Sequence, residues 1–396
     1  MMEDVERIKE LYQSKKYEEI ISLLGNVKDL SNDSYVIRNY FFWSYYRTRF
    51  IIEDAFSERN ISSTKEFVKR VIKDYSNEDM LFQIVIMKYI AHEMDKAAPN
   101  YSAVNDFLDR LNPEILKEDC FKFKDDKGKN RELASDKEKW YSWKTKCLYE
   151  MEDYHNCLKF SQLALENIKT FHYDNDVWFK RRIALSKFEL NQKDEAIKLL
   201  DEIISVKREW FIFAEKGFML IKMGDKEKGL QYLIQALKMP GPDQMKLKIY
   251  NHFMEIFNER KDSDLSKKTR LFIIRIREKN DWPISDENKK FMNDLSLDLK
   301  NLHLSEIKKD ILDFISREFE SIEISTTGKI ERMLTEGKTG LIKPDVGESI
   351  FFRVKSILNN TKGFKIGTPV TYQIIDSFDK VKNQPSKEAV QIRIIQ

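Results

Sequence analysis

Few residues in this 396-residue chain have the types and spacing that catalysis or metal binding requires. The five histidines lie far apart: His92, His155, His172, His252 and His303. His92-Glu93 begins like the zinc motif of metalloproteases, but the second histidine of that motif, one helical turn later, is missing. A phosphate-binding loop, a nucleophile elbow and the GxGxxG fingerprint are missing as well. We therefore expect no enzyme, no metal and no cofactor, although a catalytic centre assembled from scattered residues stays open.

The cysteines and the N-terminus point to a cellular compartment. Cys120, Cys147 and Cys157 form no CxxC pair, and a sparse, odd set is typical of a reducing environment. The N-terminal residues are acidic and lack the apolar region of a signal peptide. No stretch approaches the roughly 18 uninterrupted apolar residues of a membrane span. These features predict a cytoplasmic protein without a membrane partner.

Positive charge is concentrated at the C-terminus. Residues 327–396 contain 12 Lys and Arg against 7 Asp and Glu, which gives +5, whereas the whole chain carries +3. The preceding residues therefore sum to −2. Any affinity for nucleic acid is expected in the last 70 residues.

Apolar residues recur at helical spacing through the first three hundred residues, and from 138 to 242 whole units repeat. Ala196 and Gly229 are equivalent positions 33 residues apart. The third unit carries the clearest set of small and turn residues: Gly217, Gly224, Gly229, Ala236 and Pro240. This pattern resembles the tetratricopeptide repeat, a helix–turn–helix unit of 34 residues.

The resemblance implies a groove lined by the first helix of each pair. On that register six residues face it, namely Lys139, Lys146, Trp178, Arg181, Phe211 and Phe218. A basic rim with aromatic residues suits an acidic, extended peptide. The alternative is that the three aromatic residues simply pack between helices.

One segment interrupts the helical pattern. Residues 120–124 alternate apolar and polar, and residues 125–129 have turn composition, which predicts a short β-hairpin or an ordered loop. Its five basic residues could contact phosphate: Lys122, Lys124, Lys127, Lys129 and Arg131. The alternative is an ordinary solvated loop.

After Gly328 the composition changes to five short strands separated by glycine-containing turns, which predicts a small β-barrel. Residues 338–345, 349–357 and 367–372 resemble, in order, the second, third and fourth strands of the cold-shock domain. That family has Lys-Gly-Phe-Gly-Phe-Ile, Asp-Val-Phe-Val-His-Phe and Gly-x-x-Val-x-Phe at these places. The resemblance implies an OB-type barrel that binds single-stranded RNA or DNA by stacking bases on aromatic residues.

Most of the stacking positions differ from the family. Arg332, Thr339, Leu341 and Arg353 replace aromatic residues and a histidine, and only Phe351 remains as an outward aromatic. Since each base–aromatic stack contributes about 1–3 kcal/mol, binding by stacking is weakened, whereas arginine contacts phosphates and stacks on bases. The expected nucleic-acid-binding residues are Lys329, Arg332, Lys338, Lys343, Phe351, Arg353 and Lys355.

The predicted fold class is mainly α, a tetratricopeptide-like solenoid followed by a five-stranded cold-shock-like barrel. The predicted domains are a scaffold over 1–282, a helical connector over 283–325 and the barrel over 326–396. The expected function is a non-enzymatic adaptor that binds a protein or peptide in the groove and single-stranded nucleic acid, RNA in the first place, at the barrel. The alternative is a pure protein-interaction scaffold or peptide receptor whose barrel has lost nucleic-acid binding.

Overall fold

A computed structural model describes residues 2–25, 35–126, 128–319, 326–334, 337–344, 348–358, 364–379 and 384–395. The chain divides into two compact units, Met1–Ser205 and Val206–Gln396. This division falls near the end of the helix Lys193–Val206, and the predicted domain boundaries near 282 and 325 stay a prediction. The predicted connector helix therefore shares a unit with the helices before it.

The first unit is helical apart from one hairpin. The helices are α1 (Met2–Gln13), α2 (Tyr17–Leu24), α3 (Tyr35–Tyr45), α4 (Ile61–Asp74), α5 (Met80–Met94), α6 (Tyr101–Leu108), α7 (Asp136–Glu150), α8 (Tyr154–Asn167), α9 (Asn175–Glu189) and α10 (Lys193–Val206). A π-helical turn, Tyr46–Phe50, extends α3. Strands β1 (Phe121–Lys124) and β2 (Asn130–Leu133) form the antiparallel hairpin that the alternation at 120–124 predicts.

The second unit contains the remaining helices and the barrel. The helices are α11 (Trp210–Lys222), α12 (Lys226–Lys238), α13 (Leu247–Glu259), α14 (Ser263–Lys279), α15 (Asp286–Asp294), α16 (Leu297–Asn301) and α17 (Leu304–Phe319). Helix α17 buries Ile307, Ile311 and Ile315, and the Gln231 amide of α12 donates to its Phe319 carbonyl at 2.5 Å.

Five helix pairs are joined by the same local turn. Two residues after the first helix of each pair ends, the chain has a residue with positive φ, namely Lys15, Glu152, Asn191, Gly224 and Lys261. The next N–H donates to the carbonyl five residues back: Lys16 to Leu11, Asp153 to Leu148, Gln192 to Lys187, Asp225 to Leu220 and Asp262 to Phe257, all at 2.8–2.9 Å. This is the Schellman geometry that ends helices. The turn at α13–α14 extends the repeats beyond residue 242.

The second helix of three pairs begins on an aspartate. The carboxylates of Asp153, Asp225 and Asp262 each accept a hydrogen bond from the backbone N–H three residues later, at 3.2–3.3 Å. Such N-caps satisfy a helix donor that otherwise lacks a partner. A left-handed residue followed at once by an N-cap closes one helix and opens the next within two residues.

The C-terminal strands close into a barrel. They are β3 (Thr326–Leu334), β4 (Thr339–Pro344), β5 (Ile350–Arg353), β6 (Pro369–Asp379) and β7 (Gln384–Ile394), in the hydrogen-bonded order β3-β4-β5-β7-β6 with β6 returning to β3. Strands β5 and β7 are parallel, and the other pairs are antiparallel. The interior contains Ile330, Ile342, Phe352, Val370, Tyr372, Ala389 and Ile392.

The predicted fold class is confirmed: tetratricopeptide-like helix pairs are followed by a five-stranded β-structure. Within the described ranges, no helix combines the length and the apolar character needed to cross a membrane.

Candidate functional site

A surface cleft in the first unit lies between α7 and α9, the first helices of two consecutive pairs. Its volume is about 340 Å³. The lining side chains recur at helical spacing on both helices: Ser142, Lys146, Tyr149 and Glu150 on α7, and Asn175, Trp178, Arg181 and Arg182 on α9. The lining therefore contains three cations, Lys146, Arg181 and Arg182, and one carboxylate, Glu150.

Arg182 is the most unusual group in this cleft. Its Nη1 donates to the Thr145 hydroxyl at 2.9 Å, and burial lowers the pKa of its guanidinium to about 10. Among the residues that the structure describes, no carboxylate lies at ion-pair distance from Arg182. A desolvated cation without an anionic partner is costly, so an incoming anion is favoured here.

The neighbouring cations give the cleft a mixed aromatic and basic character. The Arg181 guanidinium lies 5.4 Å from the centroid of the Trp178 ring. Lys146 Nζ lies 5.9 Å from the Tyr101 ring and makes no ion pair with any described carboxylate. The arrangement offers positive charge next to a flat apolar surface.

The predicted groove set is only partly brought together. Lys146, Trp178 and Arg181 meet in the cleft, whereas Lys139 pairs with Asp136 at 3.5 Å and does not line it. Phe211 and Phe218 lie on α11 in the second unit, where they pack edge-on against Trp210 and His252 respectively.

Arg182 and Tyr149 were missed by the sequence analysis. Arg182 lies four residues after Trp178, and Tyr149 lies three residues after Lys146. Helical periodicity places residues at these spacings on one face, so this signal was available in the sequence.

Five of the seven predicted nucleic-acid-binding residues share one face of the barrel. Lys329 pairs across β3–β4 with Lys343, and Arg332 pairs with Leu341, which in turn pairs with Phe351 on β5. Phe352 is buried in the core while Phe351 is half-buried on the outside, as the strand alternation predicted. Lys338 precedes β4, and Lys355 lies in the 3₁₀ turn after β5. We call the set Lys329, Arg332, Lys343, Phe351 and Arg353 the barrel face.

One member of the barrel face has a partner. Arg353 Nε lies 3.1 Å from Glu388 Oε1 on β7. This ion pair neutralises part of the positive charge that the sequence predicts for the face, because Glu388 approaches from a strand far away in the chain. Arg332 and Lys329 make no ion pair with the residues described for the barrel.

A third cluster gathers groups that are usual in catalysis. His172 Nδ1 lies 2.8 Å from Glu138 and 3.9 Å from the Cys120 sulfur, and His172 Nε2 lies 3.4 Å from Glu132. Burial together with the two carboxylates raises the pKa of the Cys120 thiol, which disfavours the nucleophilic thiolate. The described part of the chain contains no group of three or more His, Cys, Asp and Glu side chains that could hold a metal ion.

Comparisons with known proteins find low similarity. Residues 177–309, about a third of the chain, match a family model described as a domain of unknown function, DUF7017. No curated protein matches the chain. Among solved structures, the apo form of RapI is 12% identical with a TM-score of 0.42, covering 81% of this chain and 86% of its own.

Two further structures are similar to this chain. A Rap protein complexed with competence and sporulation factor is 12% identical, covers 80% of this chain and 88% of its own, and has a TM-score of 0.37. YrrB, described as a TPR protein with an unusual peptide-binding site, is 13% identical, covers 46% and 79%, and has a TM-score of 0.32.

Proposed function

We propose that this chain is a non-enzymatic adaptor that binds an acidic, extended segment of a partner protein in the cleft between α7 and α9. The observation that carries the proposal is Arg182, a desolvated guanidinium that faces the cleft without a carboxylate partner among the described residues. A carboxylate from a ligand supplies that partner and forms a charge-assisted hydrogen bond.

The other lining residues favour a peptide over a simple anion. The Trp178–Arg181 pair offers a flat surface on which an apolar side chain can pack. Glu150 lines the same cleft. Its carboxylate repels acidic groups of a bound peptide at the C-terminal end of α7, and this repulsion favours one orientation of the peptide in the cleft. A segment in which acidic and apolar residues alternate satisfies both requirements.

The test is binding of a labelled peptide of alternating glutamate and leucine to the full chain, followed by fluorescence anisotropy. Replacing Arg182 and Lys146 together with glutamine is expected to weaken binding at least about tenfold, because both cations lose their ligand carboxylates. The matched control is Lys139→Gln, which removes the same charge from α7 outside the cleft. Equal binding of a lysine–leucine peptide, or equal binding by the double variant, would contradict the proposal.

We also propose single-stranded nucleic acid, RNA in the first place, as the ligand of the barrel face. Adjacent strands bring Lys329, Arg332 and Phe351 together, and the strand order β3-β4-β5-β7-β6 with parallel β5 and β7 is compatible with an OB-type barrel. One outward aromatic and several cations favour contacts to the phosphate backbone with little sequence preference. The rival is that this face binds protein.

The barrel proposal is tested by the salt dependence of oligonucleotide binding to the full chain. If Lys329 and Arg332 contact phosphates, replacing both with glutamine makes the negative slope of log K against log salt shallower by about 1.4 for a single strand. Lys387→Gln on β7 is the control with the same kind of charge change. An unchanged slope would contradict phosphate contacts at Lys329 and Arg332 and would favour the rival, a protein partner.

A further inference from the structure

The hairpin β1–β2 exposes an unusual amount of apolar side chain. All eight strand residues are exposed, and Phe121, Phe123 and Leu133 are 66%, 39% and 36% accessible. Isolated two-stranded hairpins are only marginally stable in water, and adjoining exposed apolar residues commonly mark an interaction site. Neither the cleft nor the barrel face includes these residues.

The strand register sorts the hairpin into two different faces. Phe121 is opposite Leu133, and Phe123 is opposite Arg131, so these four side chains share one face. The rings of Phe121 and Phe123 lie 6.2 Å apart and are inclined by only 22°. We call these four residues the aromatic face.

The opposite side of the hairpin is attached to the body of the first unit. Lys122 pairs with Glu132 at 3.0 Å, the Glu132 carboxylate lies 3.4 Å from His172 Nε2, and the Tyr173 hydroxyl donates to the Glu132 carbonyl at 3.2 Å. Because these contacts hold one side of the hairpin, the aromatic face is displayed to the surroundings.

The charges of the hairpin are complementary to an anion. Residues 121–133 contain five basic and three acidic side chains. Lys124 and Lys129 have no carboxylate at ion-pair distance within the described residues. Arg131 contacts Asp125 at 2.9 Å but keeps 58% of its side chain exposed.

We propose that the hairpin is a contact site for single-stranded nucleic acid, independent of the barrel face. Bases stack on Phe121 and Phe123, while the phosphates lie near Arg131 on the same face and Lys129 in the turn between the strands. Neighbouring, nearly parallel rings suit successive stacked bases, and every base has a face that can stack, so the site has little sequence preference. A purely apolar protein partner does not account for Arg131, which is opposite Phe123 on the same face.

The experiment compares two double variants of the full chain for binding of a labelled poly-uridine across a salt series. Leucine at both positions, Phe121→Leu with Phe123→Leu, keeps apolar volume but loses the ring, and the dissociation constant is expected to rise at least about tenfold. Tyrosine at both positions keeps the ring and is expected to bind within about twofold of the parent chain. Trp282→Leu is the control, because Trp282 is 39% accessible, as Phe123 is.

Both double variants are also measured in the Lys329→Gln, Arg332→Gln background. Loss of binding at the hairpin can then be distinguished from loss of binding at the barrel face. Loss of binding by the leucine variant in both backgrounds, with retention by the tyrosine variant, supports the hairpin site even if the barrel binds nothing. Unchanged affinity of the leucine variant overturns the proposal. If that variant instead changes self-association in sedimentation experiments, the aromatic face docks protein.

Discussion

Replacing Gly229 with alanine is expected to destabilise the second unit by about 2–3 kcal/mol, because the added methyl group overpacks a close helix crossing. A Cβ at Gly229 would lie 2.5 Å from Ile221 Cγ1 and 2.7 Å from the Gly217 carbonyl oxygen. The side chain of Ile221 can turn away, but the backbone carbonyl moves only if α11 and α12 separate.

The sign of this effect is informative because helix propensity acts in the opposite direction. Alanine is favoured over glycine within a helix by about 1 kcal/mol, so a net loss of stability shows that overpacking at the helix crossing exceeds this gain. Urea unfolding monitored by circular dichroism gives the free energy of unfolding. A rise in stability would show that the helices do not approach so closely.

The control and the companion variant lie on the same helix pair. Lys228→Ala changes the neighbouring exposed residue of α12 and is expected to alter stability by less than about 0.5 kcal/mol. Gly217→Ala introduces a methyl group 2.8 Å from the Gly229 carbonyl. Since both glycines form one crossing, the two losses are expected to be non-additive in a double-mutant cycle.

Removal of the Glu138 side chain is expected to destabilise the first unit by about 3–5 kcal/mol, since buried partners are left without their charged acceptor. Glu138 is fully buried. Its carboxylate accepts from the His172 backbone N–H at 2.7 Å, the Asn175 amide at 2.7 Å and the His172 ring at 2.8 Å. Unfolding of Glu138→Ala in urea gives the loss, and Glu150→Ala on the exposed end of α7 is the control.

The same cluster makes stability depend on pH. Burial by itself lowers the pKa of His172, but the hydrogen bonds and charges of Glu138 and Glu132 outweigh it and raise the pKa above the ordinary value of 6.5. The folded state therefore binds the proton more tightly than the unfolded state. The resulting stabilisation is complete below pH 6.5 and is lost as the pH rises through the raised value.

His172→Gln removes this titration. We expect the difference in unfolding free energy between the parent chain and His172→Gln to shrink as the pH rises from below 6.5 into the mildly alkaline range. Urea titrations at several pH values measure the difference. A gap between the two chains that stays constant across this range would show that His172 does not change its charge there.

Much of the repeat architecture follows from local sequence. Gly224-Asp225 combines a residue that adopts positive φ easily with an N-capping aspartate, and the turn forms from those two residues. Glu152-Asp153 and Lys261-Asp262 form the same turn without glycine, which is why the sequence pattern is weaker there. In the barrel, alternation along β5 places Phe351 outside and Phe352 inside.

The sequence by itself therefore determined the helix pairs, the five strands and the sides on which their residues lie, because turns, caps and periodicity act over a few residues. Only the tertiary structure decided which cations pair with a carboxylate of the chain and which face a surface where a ligand can bind. Arg353 is paired by Glu388, whereas Arg182 faces the cleft without a described carboxylate partner. The His172–Glu138 contact likewise joins residues 34 positions apart. Such pairings depend on which distant segments pack together, and no local pattern contains that information.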